Sequence, residues 1–418
     1  MMKTHNRAMM LSAAAFSVVA LLAGCGSGGF DAGPQTASGA LTSNASKELT
    51  VLIASSGDPE TQAVTTAVQT WASKNGRKAK VTVANDLNQP LSQGFASGSP
   101  ADVFYLAPEQ LAGYASNGSL LAYGDRIGDR GDYYPSLLQS LTYKGKLYAI
   151  PKDVSTLQLV INDTLWKQAG LTNADYPKSW KQLESVARRL TTSEHKGLVF
   201  TAEYARVGVF MAQAGGGLVS KDGTKATASS RASIAGLTEA RRLLTSGSAA
   251  YASDLGAGWG GEALGTGKAA MAIEGNWVAG AFAKDYPALK YDVIPLPAGP
   301  AGKGTMQFTN GWGIAADSPD QQGSISLVRY LSSDACVMQF AKAFGIMPGN
   351  RKLAAQWKTE YPRLAAFSDG LDYSIGVPTL KGASTVVADF NSQLAQLRTV
   401  APETILDKTQ TNLDSLIR

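Results

Sequence analysis

Strand-length apolar runs alternate with helical patterns in the first part of the chain. The runs that have the length of buried strands are residues 48–54, 80–83 and 102–106. Apolar positions recur with helical spacing between them, at 59–74 and 89–97, and a further helix begins at Pro108. This β-α-β-α-β order predicts a parallel sheet that is covered by helices.

Longer amphipathic patterns dominate the rest of the chain. A strand is predicted at 156–161, and Asn162 and Asp163 can cap the helix that follows it. Further helices are predicted at 181–190, 232–244, 321–331 and from 381 to the end. About 370 residues follow residue 47, which is too many for one ordinary hydrophobic core. The chain is therefore predicted to form two α/β domains.

The first 24 residues have the pattern of a secretory signal peptide. Lys3 and Arg7 precede an apolar run at 11–23, which is too short to cross a bilayer of about 30 Å as a helix. The run ends in Leu-Ala-Gly before Cys25 and resembles the bacterial lipobox, in which the cysteine is lipidated and becomes the first mature residue. The alternative is an ordinary signal peptide with a chance cysteine. Residues 25–47 are rich in glycine and serine and predict a flexible tether with a reach of roughly 25 Å.

Charge and cysteine content exclude several classes of function. Loss of Lys3 and Arg7 with the signal lowers the formal net charge from +5 to +3, which favours neither nucleic acid nor an acidic surface as a partner. Cys336 is the only cysteine besides Cys25, so no internal disulfide is predicted once Cys25 is lipidated. Cys336 lies in an apolar helical pattern, which predicts a buried structural thiol.

The sequence contains little that indicates catalysis or a bound cofactor. His195 is the only histidine beyond the signal, and no Ser-His-Asp set, zinc spacing or dinucleotide fingerprint is present. A glycine followed by a lysine, as in a phosphate-binding loop, occurs in the segment GTGKAAMAIEGNW, residues 265–277. Glu262 stands where that loop needs its first glycine, and Ala269 stands where it needs a serine or threonine. No cofactor, metal or catalytic residue is therefore predicted.

Five segments stand in order along the chain: SGSPADVFYLAPEQLAGYASNGSLL (97–121), YKGKLYAIPKDVSTLQLVINDTLWKQAG (143–170), YPKSWKQL (176–183), GTGKAAMAIEGNW (265–277) and PLPAGPAGKGTMQFTNGWGIAADS (295–318). They resemble segments of bacterial extracellular solute-binding proteins, in the sugar-binding group that includes maltose-binding protein. Each match alone is weak. Five matches in the family's order, behind a lipobox, identify the chain as similar to this family.

The resemblance implies an α/β fold with two lobes. This is the type II, or Venus-flytrap, form of the periplasmic-binding-protein fold, in which discontinuous lobes are joined by hinge strands. The implied domains are a signal peptide at 1–24, a tether at 25–47, an N-terminal lobe of 48–156 plus 315–365, and a C-terminal lobe of 157–314 plus 366–418. The chain would cross between the lobes near 155–157 and 310–315 and return within 356–375.

The resemblance also implies a substrate-binding lipoprotein of an ABC importer. Such a protein captures a mono- or oligosaccharide in the cleft between its lobes, closes around it, and delivers it unaltered to permease subunits in the membrane. The implied location is the outer face of the bacterial cytoplasmic membrane, with a lipid anchor at Cys25. A monomer is the usual state in this family, and no nucleic acid partner is implied.

A sugar site needs carboxylates and amides for the hydroxyl rim and aromatic rings for the C–H faces. Rings in glycine-rich segments are predicted to face the ligand, namely Trp259, Trp277 and Trp312. Tryptophans in helical patterns are predicted to lie in the core, namely Trp71, Trp166, Trp180 and Trp357. The resemblance assigns stacking to Trp277, hydroxyl contacts to Ser56, Asp58, Glu109 and Gln110, and a carboxylate-and-ring loop to Glu203 and Tyr204. The other predicted ligand contacts are Tyr105, Asp153, Asn276 and Asn310.

Two alternatives to a sugar receptor remain open. A glycoside hydrolase would need two carboxyl groups about 5–9.5 Å apart, and Asp153 and Glu203 are candidates for that pair. The other alternative is a receptor of the same fold for glycerol phosphate, although several acids and no arginine-rich cleft motif disfavour a phosphate ligand. Leu106 in place of an aromatic residue, and the lack of tryptophan at 377–385, argue against a maltodextrin but not against a sugar.

Overall fold

The computed structural model describes residues 40–55 and 57–417. The predicted signal peptide, Cys25, most of the tether and Ser56 lie outside the described residues. The strands are β1 Leu49–Ile53, β2 Ala79–Val83, β3 Val103–Leu106, β4 Thr142–Tyr143, β5 Lys146–Leu147, β6 Ala149–Pro151, β7 Ser155–Asn162, β8 Lys196–Phe200, β9 Ala249–Tyr251, β10 Ala269–Gly275, β11 Tyr291–Ile294, β12 Thr305–Phe308, β13 Gly311–Ile314 and β14 Ser374–Ile375.

The helices follow the amphipathic patterns of the sequence closely. They are α1 Asp58–Lys74, α2 Asn88–Ala96, α3 Pro108–Ser116, α4 Pro135–Ser140, α5 Asp163–Gln168, α6 Trp180–Leu190, α7 Tyr204–Gln213, α8 Arg231–Thr245, α9 Gly260–Gly265, α10 Val278–Asp285, α11 Gln321–Leu331, α12 Asp334–Phe344, α13 Ala354–Glu360, α14 Ala365–Asp369, α15 Ala383–Leu394 and α16 Pro402–Ile417. The Asn162 side chain accepts hydrogen bonds from the N–H groups of Thr164 and Leu165, so it caps α5 as predicted.

The first sheet has the strand order β2-β1-β3-β13-β6. Strand β1 pairs in parallel with β2 and β3, which confirms the predicted parallel arrangement for the β-α-β-α-β segment. Strand β13, which lies outside that segment, is antiparallel to both β3 and β6, so the complete sheet is mixed. This pairing was not predicted because β13 comes from a distant part of the chain, and local patterns do not report such pairing.

The second sheet has the order β14-β12-β7-β10-β8-β9, and β11 also pairs with β7. Strand β7 is antiparallel to β10, β11 and β12, whereas β10, β8 and β9 run parallel to one another. All residues of β7 after Ser155 are buried, as are all residues of β10. These two strands therefore form the centre of the second sheet.

We call each sheet with the helices packed on it a lobe. Helices α1 and α12 pack against each other in the first lobe, and α7 and α8 do so in the second. Two short linkers join the sheets. The first runs from the end of β6 at Pro151 to the start of β7 at Ser155, and the second runs from the end of β12 at Phe308 to the start of β13 at Gly311. At about 3.6 Å per residue these linkers span at most about 14 and 11 Å. The sheet ends that they join must therefore stay close together.

The core contains most of the aromatic residues that were predicted there. Trp71, Trp166 and Trp357 are almost completely buried, which confirms their prediction. Trp180 is partly buried; it packs against the core of the second lobe and donates a hydrogen bond from Nε1 to Gln213. The Cys336 thiol is buried and free, and burial raises its pKa to about 12. Within residues 40–55 and 57–417, no helix combines the length and the apolar character that a membrane span requires.

Candidate functional site

Several predicted site residues leave the first sheet at one edge. Leu106 of β3 pairs with Gly311 of β13, and Gly311 pairs with Pro151 of β6, so these three positions lie level with one another. The residues that continue the chain beyond them include Glu109, Gln110, Asp153 and Asn310. Strand β1 ends beside β3 at the same edge, before α1 begins at Asp58. The ends of strands in such open sheets are where ligands bind in many α/β proteins.

A buried charge cluster supports this edge. The Tyr105 hydroxyl donates to Glu60 Oε1 at 2.9 Å, and Lys152 Nζ donates to the same oxygen at 3.1 Å. Lys152 Nζ also lies 2.7 Å from Asp153 Oδ2 and 4.2 Å from the centroid of the Tyr105 ring. Burial by itself lowers the pKa of Lys152, but the Asp153 and Glu60 charges outweigh it and hold the pKa above its ordinary value. Lys152 therefore stays charged and pairs with both Glu60 and Asp153.

Trp312 lies beneath this cluster and not in a loop. It belongs to strand β13, has 1% of its surface exposed and packs edge-on against the Tyr105 ring with centroids 4.9 Å apart. Its neighbours Gly311 and Gly313 lie where a Cβ atom would meet Ala149 and Phe104, so these glycines serve close packing. The ring that was predicted to face ligand is thus part of the core of the first lobe.

A second group of predicted residues leaves the second sheet at one edge. Strands β8 and β10 run in parallel, and the segments 201–203 and 275–277 follow their ends. Gly275 pairs with Leu157, so the start of β7 lies at this edge as well. This arrangement brings Glu203, Asn276 and Trp277 to one side of the second lobe.

The Trp277 ring is held by four neighbours yet remains open to water. Its Nε1 donates to Glu274 Oε2 at 3.0 Å, and the Arg206 guanidinium carbon lies 5.1 Å from the ring centroid. Phe308 packs edge-on at 6.1 Å, and a Cβ atom at Gly275 would come within 2.3 Å of the ring. The residue nevertheless has 36% of its surface exposed. Trp277 is therefore a fixed aromatic platform at the edge of the second sheet.

Glu274 and Arg206 form the ion pair that holds this platform. The Glu274 side chain is completely buried, and Arg206 Nη2 lies 2.9 Å from its Oε2. Burial raises the pKa of Glu274 above its ordinary value. The Arg206 charge and the hydrogen bonds from Arg206 and Trp277 oppose this rise. Sequence reasoning missed this pair because Glu274 closes an apolar strand and Arg206 lies within an amphipathic helix.

The remaining residues of the second lobe differ in exposure. The Glu203 side chain is 50% exposed; Thr201 Oγ1 donates to its Oε2 at 3.2 Å, and Arg206 Nη1 lies 4.0 Å from that oxygen. Tyr204, predicted as the ring beside Glu203, is buried in the core with 1% exposed and packs against Phe390. Trp259 is partly buried and stacks on Phe282 with centroids 6.4 Å apart. Tyr204 and Trp259 are both less exposed than Trp277.

The linker between β12 and β13 connects the two edges. Phe308, the last residue of β12, contacts Trp277 in the second lobe. Two residues later, the Asn310 N–H donates to Asp153 Oδ1 at 3.1 Å, and Thr309 Oγ1 donates to the Asp153 carbonyl oxygen at 2.7 Å. Tyr105, Asp153 and Asn310 are therefore brought together in the first lobe, beside the platform of the second.

Three predicted polar residues lie at the first edge outside the buried cluster. Asp58 is exposed at the start of α1, while Glu109 and Gln110 are partly buried in the first turn of α3. Burial raises the pKa of Glu109, and its own backbone N–H opposes that rise. These side chains can offer oxygen and amide groups to a ligand that enters from this side.

The chain belongs to the bacterial extracellular solute-binding protein family, whose model matches residues 54–335. Among curated relatives, it is 26% identical over 350 residues to the diacetylchitobiose binding protein DasA of Streptomyces coelicolor, covering 81% of this chain and 80% of that one. Among solved structures, the GacH receptor of Streptomyces glaucescens, studied with acarbose, has a TM-score of 0.77 at 22% identity, covering 88% and 98%. UgpB of Mycobacterium tuberculosis, in complex with glycerophosphocholine, has a TM-score of 0.74 at 19% identity, covering 89% and 98%. These likenesses confirm the two-lobe periplasmic-binding-protein fold.

Replacing Arg206 by methionine would leave the buried Glu274 carboxylate without its cation. Removing one partner of a buried ion pair costs about 3–5 kcal/mol, so we expect Arg206→Met to lower the free energy of unfolding by about that amount. Urea unfolding followed by circular dichroism measures the change. The double variant Arg206→Met/Glu274→Gln removes both charges, and we expect it to recover most of the loss. Equal or greater loss in the double variant would contradict the pairing.

Proposed function

We propose that the protein is the substrate-binding subunit of an ABC importer and that it takes up a carbohydrate between its lobes. The observation that carries this proposal is the Trp277 ring. Among the described residues, Val83 and Trp277 are the large apolar side chains that are strongly exposed, at 45% and 36%. An aromatic ring that is fixed in place and still open to water is pre-organised for the C–H face of a sugar.

The polar groups at the two edges suit the hydroxyl rim of such a ligand. Asp58 and Glu109 lie at the edge of the first lobe, and Glu203 lies beside the platform in the second. Carboxylates accept hydrogen bonds from hydroxyl groups without a change in protonation. The names of two similar proteins mention saccharides, diacetylchitobiose and acarbose, which supports the same ligand class for this chain.

We propose that the ligand is passed on unaltered. A hydrolase would need a carboxyl group that is free to donate a proton or to attack the sugar. Asp153, one candidate for that role, has both oxygens engaged, since Oδ1 accepts from the Asn310 N–H and Oδ2 pairs with Lys152. The family is one of binding proteins, which supports the same conclusion.

A phosphate ligand fits the site less well than a neutral sugar. Lys152 is paired with Glu60 and Asp153, and Arg206 is paired with Glu274. Phosphate recognition uses cations and N–H donors that are available to the ligand, and these two cations are already neutralised. Asp58 and Glu203, which are exposed at the two edges, are carboxylates and repel an anion.

A thermal-shift screen tests the ligand class. The panel contains monosaccharides, chito- and malto-oligosaccharides, and glycerophosphocholine as the phosphate-bearing arm. A neutral saccharide at one hundred times its Kd should stabilise the protein by about 2.7 kcal/mol, which is seen as a rise in Tm of several degrees. A response to glycerophosphocholine alone would contradict the proposal. Release of reducing ends in the same incubations would instead support the hydrolase.

The variant Trp277→Ala tests the platform itself. Loss of a stacking ring should raise the Kd for the sugar found in the screen at least tenfold, because aromatic anchors carry much of such binding. Isothermal titration calorimetry measures this change. Val83→Ala is the matched control, because Val83 is the other strongly exposed large apolar residue and lies on the outer strand β2. Unchanged affinity in Trp277→Ala would remove the ring from the site.

We also propose that the mature protein is a monomer held at the outer face of the cytoplasmic membrane by a lipid on Cys25. The signal-like sequence before Cys25 and the extracytoplasmic role of the family support this location. In cells fed labelled palmitate, Cys25→Ser should abolish labelling and release the protein into the soluble fraction. Cys336→Ser, which changes the buried cysteine, should keep the label. Labelling that survives Cys25→Ser would contradict the anchor.

A further inference from the structure

Asn276, predicted from the sequence to touch ligand, has both ends of its side-chain amide engaged within the protein. Its Oδ1 accepts a hydrogen bond from Ser155 Oγ, and its Nδ2 donates to the Gly345 carbonyl oxygen at 3.3 Å. The residue is 4% exposed. A buried amide whose oxygen and nitrogen are both bonded is poorly placed to meet a sugar hydroxyl. The two groups that the Asn276 side chain joins therefore indicate its function.

The two bonds of Asn276 differ in what they connect. Ser155 begins β7, which pairs with β10, so the first bond stays inside the second lobe. Gly345 caps the C-terminus of α12, the helix that packs on α1 in the first lobe, and its φ of 78° is one that glycine adopts readily. The bond from Asn276 to Gly345 therefore passes from one lobe to the other.

This interlobe bond lies beside the first linker. The Val154 N–H donates to the Met347 carbonyl oxygen at 3.0 Å, so the segment after α12 runs along the linker that joins β6 to β7. A rotation of the lobes about the linkers would move Asn276 relative to Gly345. Hydrogen bonds weaken steeply with distance and misalignment, so this bond is compatible with a narrow range of interlobe angles.

Two side chains at the edge of the second lobe are open to water in the structure. Trp277 is 36% exposed and the Glu203 side chain 50% exposed, although both are placed to meet ligand. We propose that Asn276 is a positioning residue that holds the lobes at this open angle and opposes their closure on the ligand. The inference rests on the proposed function, because it assumes that a ligand is bound by closure between the lobes.

The expected effect follows from a two-state equilibrium. Apparent affinity falls in proportion to the fraction of molecules in the closed form, so any bond that is present only in the open form weakens binding. A typical protein hydrogen bond changes such an equilibrium by about two- to tenfold. Removing the Asn276 side chain should therefore tighten sugar binding by about two- to tenfold without adding a contact to the ligand.

The variant Asn276→Ala tests this inference by calorimetry with a sugar that the wild-type protein binds. We expect a Kd two to ten times lower than that of the wild type. Ser155→Ala is the matched control, because it removes a hydrogen bond of Asn276 inside the second lobe and leaves the bond to Gly345 in place. Its Kd should stay within twofold of the wild type. Asn276→Asp keeps the acceptor for Ser155 but sets an oxygen against the Gly345 carbonyl, so it should also tighten binding.

Small-angle X-ray scattering without sugar gives a readout that does not depend on the ligand. Asn276→Ala should lower the radius of gyration relative to both the wild type and Ser155→Ala, because closed molecules are more compact. Weaker binding by Asn276→Ala would show that the side chain is a ligand contact, and an unchanged Kd and radius would show that it does not bias the lobes. Either result overturns the inference while sugar binding by the wild type still supports the proposed function.

Discussion

The candidate site depends on two short linkers between the sheets. The chain passes from Pro151 to Ser155 and from Phe308 to Gly311 with three and two intervening residues, so the sheet ends cannot move far apart. The same linkers carry Asp153 and Asn310, which bond to each other and fix the path of both crossings. Rotation about these linkers would leave both sheets intact and would change the space between the two edges.

The cations at these edges are paired with carboxylates inside the protein and stabilise its structure. Lys152 pairs with Glu60 and Asp153 in the first lobe, and Arg206 pairs with Glu274 in the second. Each pair holds an aromatic ring, Tyr105 in one lobe and Trp277 in the other. Cations held in this way fix geometry and leave carboxylates and one open ring for the ligand. That composition suits an uncharged polyol better than an anion.

Much of the architecture could be predicted from the sequence, because strands β1 to β3 and the long helices follow local apolar periodicity. The place of Glu109 after the end of β3 follows from the same periodicity, whereas the convergence of Asp153 and Asn310 with it depends on strand β13. The pairing of β13 with β3 could not be predicted, since it joins segments about 200 residues apart in the chain.

The contacts of individual side chains could not be predicted from the sequence either. Trp312 lies among glycines, which was interpreted as an exposed loop, but those glycines allow close packing around a buried strand. Asn276 was predicted to contact the ligand, whereas its amide bonds to Ser155 and Gly345. A single sequence does not distinguish a buried, paired Glu274 or Lys152 from a solvated charge.

The central claim is that both sheet edges take part in one ligand site. Hydrogen–deuterium exchange with and without a bound sugar tests it most directly, because it reports on both edges in the same experiment. We predict slower exchange in residues 107–110 and 152–154 of the first edge together with 201–206 and 275–278 of the second. Protection confined to one lobe, or to surfaces away from both edges, would contradict the account.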